Sequence, residues 1–134
     1  MIKKVIFVVC LVFSFCCCGQ KFKSQTTVGF KSLTPAEFET LIKEDLSVQL
    51  VDVRRPVEYD SGHIYNAVLI NVLDSAFIDN AMVILDKSKP IAVYCRSGKR
   101  SKDAAGKLSE IGYKVFDLDS GYLGWVAYIG KNDD

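Results

Sequence analysis

Cys95 heads the run Cys95-Arg96-Ser97-Gly98-Lys99-Arg100-Ser101, directly after the apolar stretch Pro90-Ile91-Ala92-Val93-Tyr94. A thiol becomes a good nucleophile only as the thiolate, and nearby cations and the unpaired N–H groups of a helix start both favour that anion. This run offers both. Arg96, Lys99 and Arg100 supply positive charge, and a helix is expected to begin near Arg100. Gly98 lets the backbone curl round a centre with no Cβ in the way, and Ser97 and Ser101 add hydroxyl donors. Such a cradle suits an anionic sulfur or an oxyanion: a persulfide, the sulfonate end of thiosulfate, or phosphate. The plainer alternative is a small core cysteine followed by a basic surface loop. The gathering of donors and charge around one thiol favours the reactive reading.

The elements that must hold this loop are legible in the pattern. Thr34-Pro35-Ala36-Glu37 carries a helix-start signature, and Phe38, Leu41 and Ile42 share one face of a helix running to about Glu44. Val48 to Val53 reads as a buried strand, Arg54 to Gly62 as a turn with a short helical piece, and Ala67 to Ile70 as a second strand. Asp74 can cap a helix with Phe77, Ile78, Ala81, Met82 and Leu85 inward. Ile91 to Tyr94 is the central strand, and Ser101 to Ile111 is a helix with Ala104, Ala105, Leu108 and Ile111 on one stripe and Gly112 as its stop. Val115 to Leu118 is a last strand, and Gly121 to Ile129 a short aromatic-rich helix. Apolar strands alternating with amphipathic helices predict an α/β fold, an open parallel sheet of about five strands with helices on both faces. In such sheets ligands sit beyond the carboxyl ends of the strands, where Cys95, Asp52 and Arg54 fall.

At these residues the chain resembles the rhodanese-like sulfurtransferases. Their active loop reads Cys-Arg-x-Gly-x-Arg followed by Ser or Thr, and Cys95 to Ser101 fits each fixed position. A second motif of that family resembles Leu50-Val51-Asp52-Val53-Arg54, then Glu58, then Gly62-His63-Ile64, and a third resembles Asp119-Ser120-Gly121-Tyr122 through Trp125. The likeness runs from about Leu33 to Ile129. It implies Cys95 as nucleophile, with Arg96, Ser97, Gly98, Lys99, Arg100 and Ser101 binding substrate: Arg96 and Arg100 as anion holders, Lys99 as a rim charge. It implies a structural role for His63, the only histidine, and supporting roles for Asp52, Arg54 and Glu58 as a network that fixes the first turn. Tyr122 and Trp125 become core or pocket wall. The spacing from Cys95 to Arg100 matches the shorter loop of sulfur-transferring members, whereas relatives that handle phosphate or arsenate carry one residue more. The chain departs from the family at Tyr65-Asn66, where Pro-Gly is usual, and at Ser120, which replaces a common Gly.

The front of the chain is a separate object. Lys3 and Lys4 precede an apolar stretch from Val5 to Phe15, too short for a comfortable membrane span, and Cys16-Cys17-Cys18-Gly19 follows. This pattern is expected to be a lipoprotein-type signal peptide over residues 1–17, with Cys18 as the lipid-anchor residue and Cys17 as the alternative. Residues 18–30 then form a polar tether, and residues 31–134 the domain. The domain would be exported and lipid-anchored in a bacterial cell envelope, facing the periplasm. Of the five cysteines only Cys95 belongs to the domain, so no disulfide framework and no cysteine-rich metal site is expected there. A formal net charge of +1 over 134 residues gives no global field for nucleic acid.

Together these readings predict a sulfurtransferase that carries sulfane sulfur as a Cys95 persulfide. The donor would be a small molecule such as thiosulfate, the acceptor a thiol, cyanide or a protein, and no metal or organic cofactor is required. Two other readings keep the fold: a tethered persulfide or redox relay without turnover, and a phosphatase or arsenate reductase, against which the short loop argues.

Overall fold

The computed structural model describes residues 29–133. The expected leader, the Cys18 anchor and the first part of the tether lie outside the described residues. In chain order the elements are β1 (Lys31–Leu33), α1 (Pro35–Glu44), β2 (Gln49–Asp52), α2 (Pro56–Ser61), β3 (Val68–Leu69), α3 (Phe77–Ile84), β4 (Ile91–Tyr94), α4 (Lys99–Glu110), β5 (Val115–Leu118) and α5 (Gly121–Asn132). The five strands form one sheet in the order β1-β5-β4-β2-β3, and each neighbouring pair is parallel. The predicted α/β class and parallel sheet are observed.

Both faces of the sheet are covered. In β4, Ile91 and Val93, followed by Cys95, enter a core with Val51, Val53, Phe77, Ala81, Ala104, Ala105 and Leu108. Ala92 and Tyr94 alternate into a second core with Leu33, Phe38, Ile64 and Leu118, flanked by Leu41, Tyr122 and Trp125. This two-sided burial is why the central strand reads as a continuous apolar run. The chain leaves β4 toward β5 on one side, while β2 lies on the other. The carboxyl end of β4, where Cys95 sits, is therefore the switch point at which such sheets open a crevice.

Local physics sets the boundaries. In α1 the Thr34 hydroxyl oxygen accepts the Glu37 N–H at 3.3 Å, Pro35 opens the first turn, and Phe38 is buried. α4 starts at Lys99, one to two residues ahead of the expected start, because Gly98, at φ 101°, serves as its N-cap. At its end Gly112 (φ 100°) lets the Gly112 and Tyr113 N–H groups turn back to the Ser109 and Leu108 carbonyls.

Three local expectations change. β1 escaped the sequence reading because Lys31 and Ser32 are exposed and only Leu33 is buried, so no apolar pattern announces it. Met82 does not point inward: it is 53% exposed, because the short helix buries Phe77 and Ala81, with Leu85 just beyond, and position 82 rotates past that line. Asp74 does not cap α3 directly; its carboxylate accepts the Ala76 N–H at 2.8 Å and forms a turn ahead of the helix.

Candidate functional site

Cys95 follows the last residue of β4, and its side chain is 1% exposed. The next residues turn back over it. The Gly98 N–H donates to the Cys95 Sγ at 3.1 Å, and the Ser101 Oγ lies 3.5 Å from the same sulfur. The Ser101 hydroxyl in turn donates to the Gly98 carbonyl at 3.1 Å. Burial pushes the thiol up, but the Ser101 hydroxyl and the N–H groups of Ser101, Gly98 and Ser97 outweigh it and hold Cys95 below its ordinary value. Of the N–H groups, hydroxyls and cations that the sequence offers, the neutral donors are the leading stabilisers of the anion.

The loop holds this shape because α5 supports it from behind. The Tyr122 N–H donates to the Cys95 carbonyl at 2.8 Å and the Leu123 N–H to the Arg96 carbonyl at 3.1 Å. These bonds satisfy N–H groups that a helix start leaves free, and they hold two loop carbonyls against α5. The approach is close enough to need glycine on both sides. A Cβ on Gly121 (φ 64°) would lie 2.5 Å from the Arg96 carbonyl, and one on Gly98 would lie 2.0 Å from the Asp119 carbonyl oxygen.

The cations divide into two groups. Arg100 gives both terminal nitrogens to Glu58, with Nη1 to Oε2 and Nη2 to Oε1 each at 2.7 Å. Arg100 pairing, set against a smaller cost of burial, holds the Glu58 carboxyl at about 2. Glu58 also accepts the Arg55 N–H at 3.0 Å, so this pair ties the start of α2 to the start of α4. Arg100, expected as an anion holder, has both terminal nitrogens engaged by Glu58 in this structure. Arg96 and Lys99 are exposed, and neither joins an ion pair among the described residues. They are the cations at hand for an incoming anion.

Asp52 and Arg54 form the expected pair but without Glu58. The Arg54 Nη2 is 2.7 Å from Asp52 Oδ2, donates to the Gly62 carbonyl at 2.6 Å, and its guanidinium stacks over the Tyr122 ring at 4.4 Å. The pair is buried, fixing the exit of β2 against the 62–64 turn. His63 lies within that assembly: its Nδ1 is 2.8 Å from the Tyr59 carbonyl oxygen and its ring stacks on Tyr59 at 3.7 Å. Both departures from the family pattern are accommodated. Asn66 takes φ 65°, a left-handed conformation that glycine would adopt freely and asparagine tolerates. Ser120 fits because residue 124 is Gly; a Cβ there would lie 1.9 Å from the Ser120 Oγ.

Sequence reasoning missed the supports of the loop. Lys102, Asp117 and Asp119 form a charged cluster against the Gly98 carbonyl, and only the adjacency of Lys102 to Ser101 hinted at it. A groove of about 810 Å³ lies elsewhere, lined by Ile42, Leu50, Ile64, Tyr122, Trp125 and Ile129 among others, and shares no residue with the loop.

Comparison with known proteins gives a consistent result. The profile of the rhodanese-like domain matches residues 34–128. The thiosulfate sulfurtransferase GlpE of Pseudoalteromonas translucida (strain TAC 125) is 34% identical over 102 residues, covering 75% of this chain and 92% of that protein. Among solved structures, a rhodanese-like domain protein from Staphylococcus aureus is 30% identical with a TM-score of 0.64, covering 72% of this chain and 91% of that one. A rhodanese-related protein from Thermoplasma volcanium is 29% identical with the same TM-score of 0.64, covering 74% and 93%.

Proposed function

Because the chain belongs to the rhodanese-like domain family, we propose that it is a sulfurtransferase whose sulfur carrier is Cys95. Relatives named as sulfurtransferases support sulfur transfer of the rhodanese type in general. The observation that carries the finer reading is the Gly98 N–H at 3.1 Å from a buried sulfur, in a loop that also places the Ser101 Oγ 3.5 Å from it.

In the proposed reaction the Cys95 thiolate attacks the outer sulfur of thiosulfate. The new S–S bond forms as the bond to the sulfonate breaks, and sulfite leaves with the electron pair of that bond. Arg96 and Lys99 attract the doubly charged donor and balance the departing sulfite. The persulfide anion left on Cys95 is more extended than the thiolate, and the loop N–H groups are the donors available to it. A thiol, cyanide or a protein nucleophile then takes the outer sulfur and regenerates the thiolate, a ping-pong sequence with a covalent intermediate. No step requires a metal or an organic cofactor. The test is formation of thiocyanate from thiosulfate and cyanide by the purified protein and its Cys95→Ser variant. Loss in the variant is expected; equal turnover by both would overturn the assignment.

The front of the chain supports a further part of the proposal, that residues 1–17 direct export and that Cys18 carries the lipid, facing the domain to the periplasm. Incorporation of labelled palmitate in a bacterial host, abolished by Cys18→Ala, is the expected result. Unchanged incorporation in that variant and loss in Cys17→Ala would move the anchor to Cys17.

A further inference from the structure

We infer that Lys102 is a positioning residue for the sulfur site: held by Asp117 and Asp119, it keeps the Gly98 carbonyl satisfied so that the Ser101 hydroxyl is free to turn to the sulfur. The inference deepens the sulfurtransferase reading and takes its meaning from it.

The Ser101 hydroxyl has one proton and two places for it. With Cys95 as a thiol, the S–H can donate to the Ser101 oxygen while the hydroxyl donates to the Gly98 carbonyl at 3.1 Å. With Cys95 as an anion, or bearing a persulfide, the hydroxyl serves best by donating to sulfur. Turning it takes a donor from the carbonyl of a buried residue, which is unfavourable unless other donors remain. Two remain, both from Lys102: its backbone N–H at 3.4 Å and its Nζ at 3.4 Å.

The ammonium is placed for this by acids that belong to another element. Lys102 Nζ lies 3.1 Å from Asp117 Oδ2 on β5 and 2.9 Å from Asp119 Oδ1 just after it. Asp117 is fully buried; its Oδ2 also accepts from the Ser32 hydroxyl at 3.1 Å, while its Oδ1 has no partner among the described residues. The buried Asp117 carboxylate thus has the partly exposed Lys102 ammonium as its paired cation. The same residue therefore joins α4, β5 and the loop at the atom opposite the sulfur-facing N–H of Gly98. The other charged groups of the loop and of the elements packed on it are Arg96 and Lys99, exposed in the loop itself, Arg100 with Glu58 of α2, and the Asp52–Arg54 pair at the end of β2. None of them bonds to Lys102, whose partners are Gly98, Asp117 and Asp119.

The experiment follows alkylation of Cys95 by iodoacetamide between pH 5 and 10 in the full chain, reading the Cys95 peptide by mass spectrometry. Lys102→Met is expected to move the midpoint up by about one pH unit, roughly a tenfold loss of thiolate at neutral pH. Lys102→Arg is expected to restore most of it. Ser101→Ala should shift the midpoint too, and the double variant with Lys102→Met should move it no further, because the lysine acts through the hydroxyl. A parent-like profile for Lys102→Met, or shifts that add in the double variant, would overturn the inference. If Lys102→Met fails to fold, Lys102→Ala, which likewise offers the Gly98 carbonyl no side-chain donor, is read by the same criteria. Alkylation needs no turnover, so a protein that takes up no sulfur on Cys95 yet shows the shift would sink the sulfurtransferase reading and leave the Lys102 role standing.

Discussion

Arg96 and Lys99 are exposed cations without acidic partners among the described residues, whereas Arg100 is occupied by Glu58. That difference separates binding from support. Arg96→Ala is expected to raise the KM for thiosulfate about three- to tenfold with little change in kcat, and added salt should shrink the gap, since an exposed charge is screened. A fall in kcat with unchanged KM would place Arg96 in the chemical step instead. Glu58 makes a different prediction. Its folded-state value of about 2 lies below the ordinary 4.5, so its pairing contributes stability that is fully present above 4.5 and is lost as pH falls toward 2. Glu58→Gln should therefore cost about 1–2 kcal/mol at neutral pH, with the pair partly exposed to solvent, and the gap to the parent should close in acid. Urea unfolding at several pH values checks this; a constant gap across the window would rule the pair out as its source.

Among the elements, α5 is the support of the active loop, and Gly121 is the point at which the two nearly touch. Alanine there would need a left-handed backbone and would put its Cβ 2.5 Å from the Arg96 carbonyl. Gly121→Ala is expected to cost about 2–4 kcal/mol and to abolish sulfur transfer even where the protein still folds. Near-parent turnover would show that the loop does not depend on this contact. The element scale also separates what was legible in the sequence from what was not. β4 and α4 were readable because both bury apolar residues in a regular pattern, and the loop between them was readable from residue types at fixed spacing. β1 was not, because its three residues are held by pairing with β5 rather than by their own apolar character. Met82 falls outside the buried face because α3 is eight residues long, too short for its periodicity to fix the edge of that face. The glycine at 98 was legible as a place for the chain to curl; its second duty, as the cap that starts α4 against the Asp119 carbonyl, depends on a contact between segments distant in sequence.

For the molecule as a whole, the sheet order brings the ends of β2, β4 and β5 side by side, and each sends a different kind of support to one sulfur. From beyond β2 comes the Glu58 that engages Arg100; from the end of β4 comes the thiol; from β5 and α5 come the acids that hold Lys102 and the N–H groups that bind the loop carbonyls. Pairings of this kind join residues 15 to 42 positions apart and leave no periodic trace. The sequence therefore named the thiol and its loop but not the cluster behind them. The central claim is that Cys95 carries sulfur. It is tested most directly by the intact mass of the purified protein after thiosulfate treatment, with and without dithiothreitol. A gain of about 32 Da, one sulfur atom, removed by the reductant and missing in Cys95→Ser, is the predicted result. No gain on a thiol shown to be free and reduced, or an equal gain in Cys95→Ser, would contradict it.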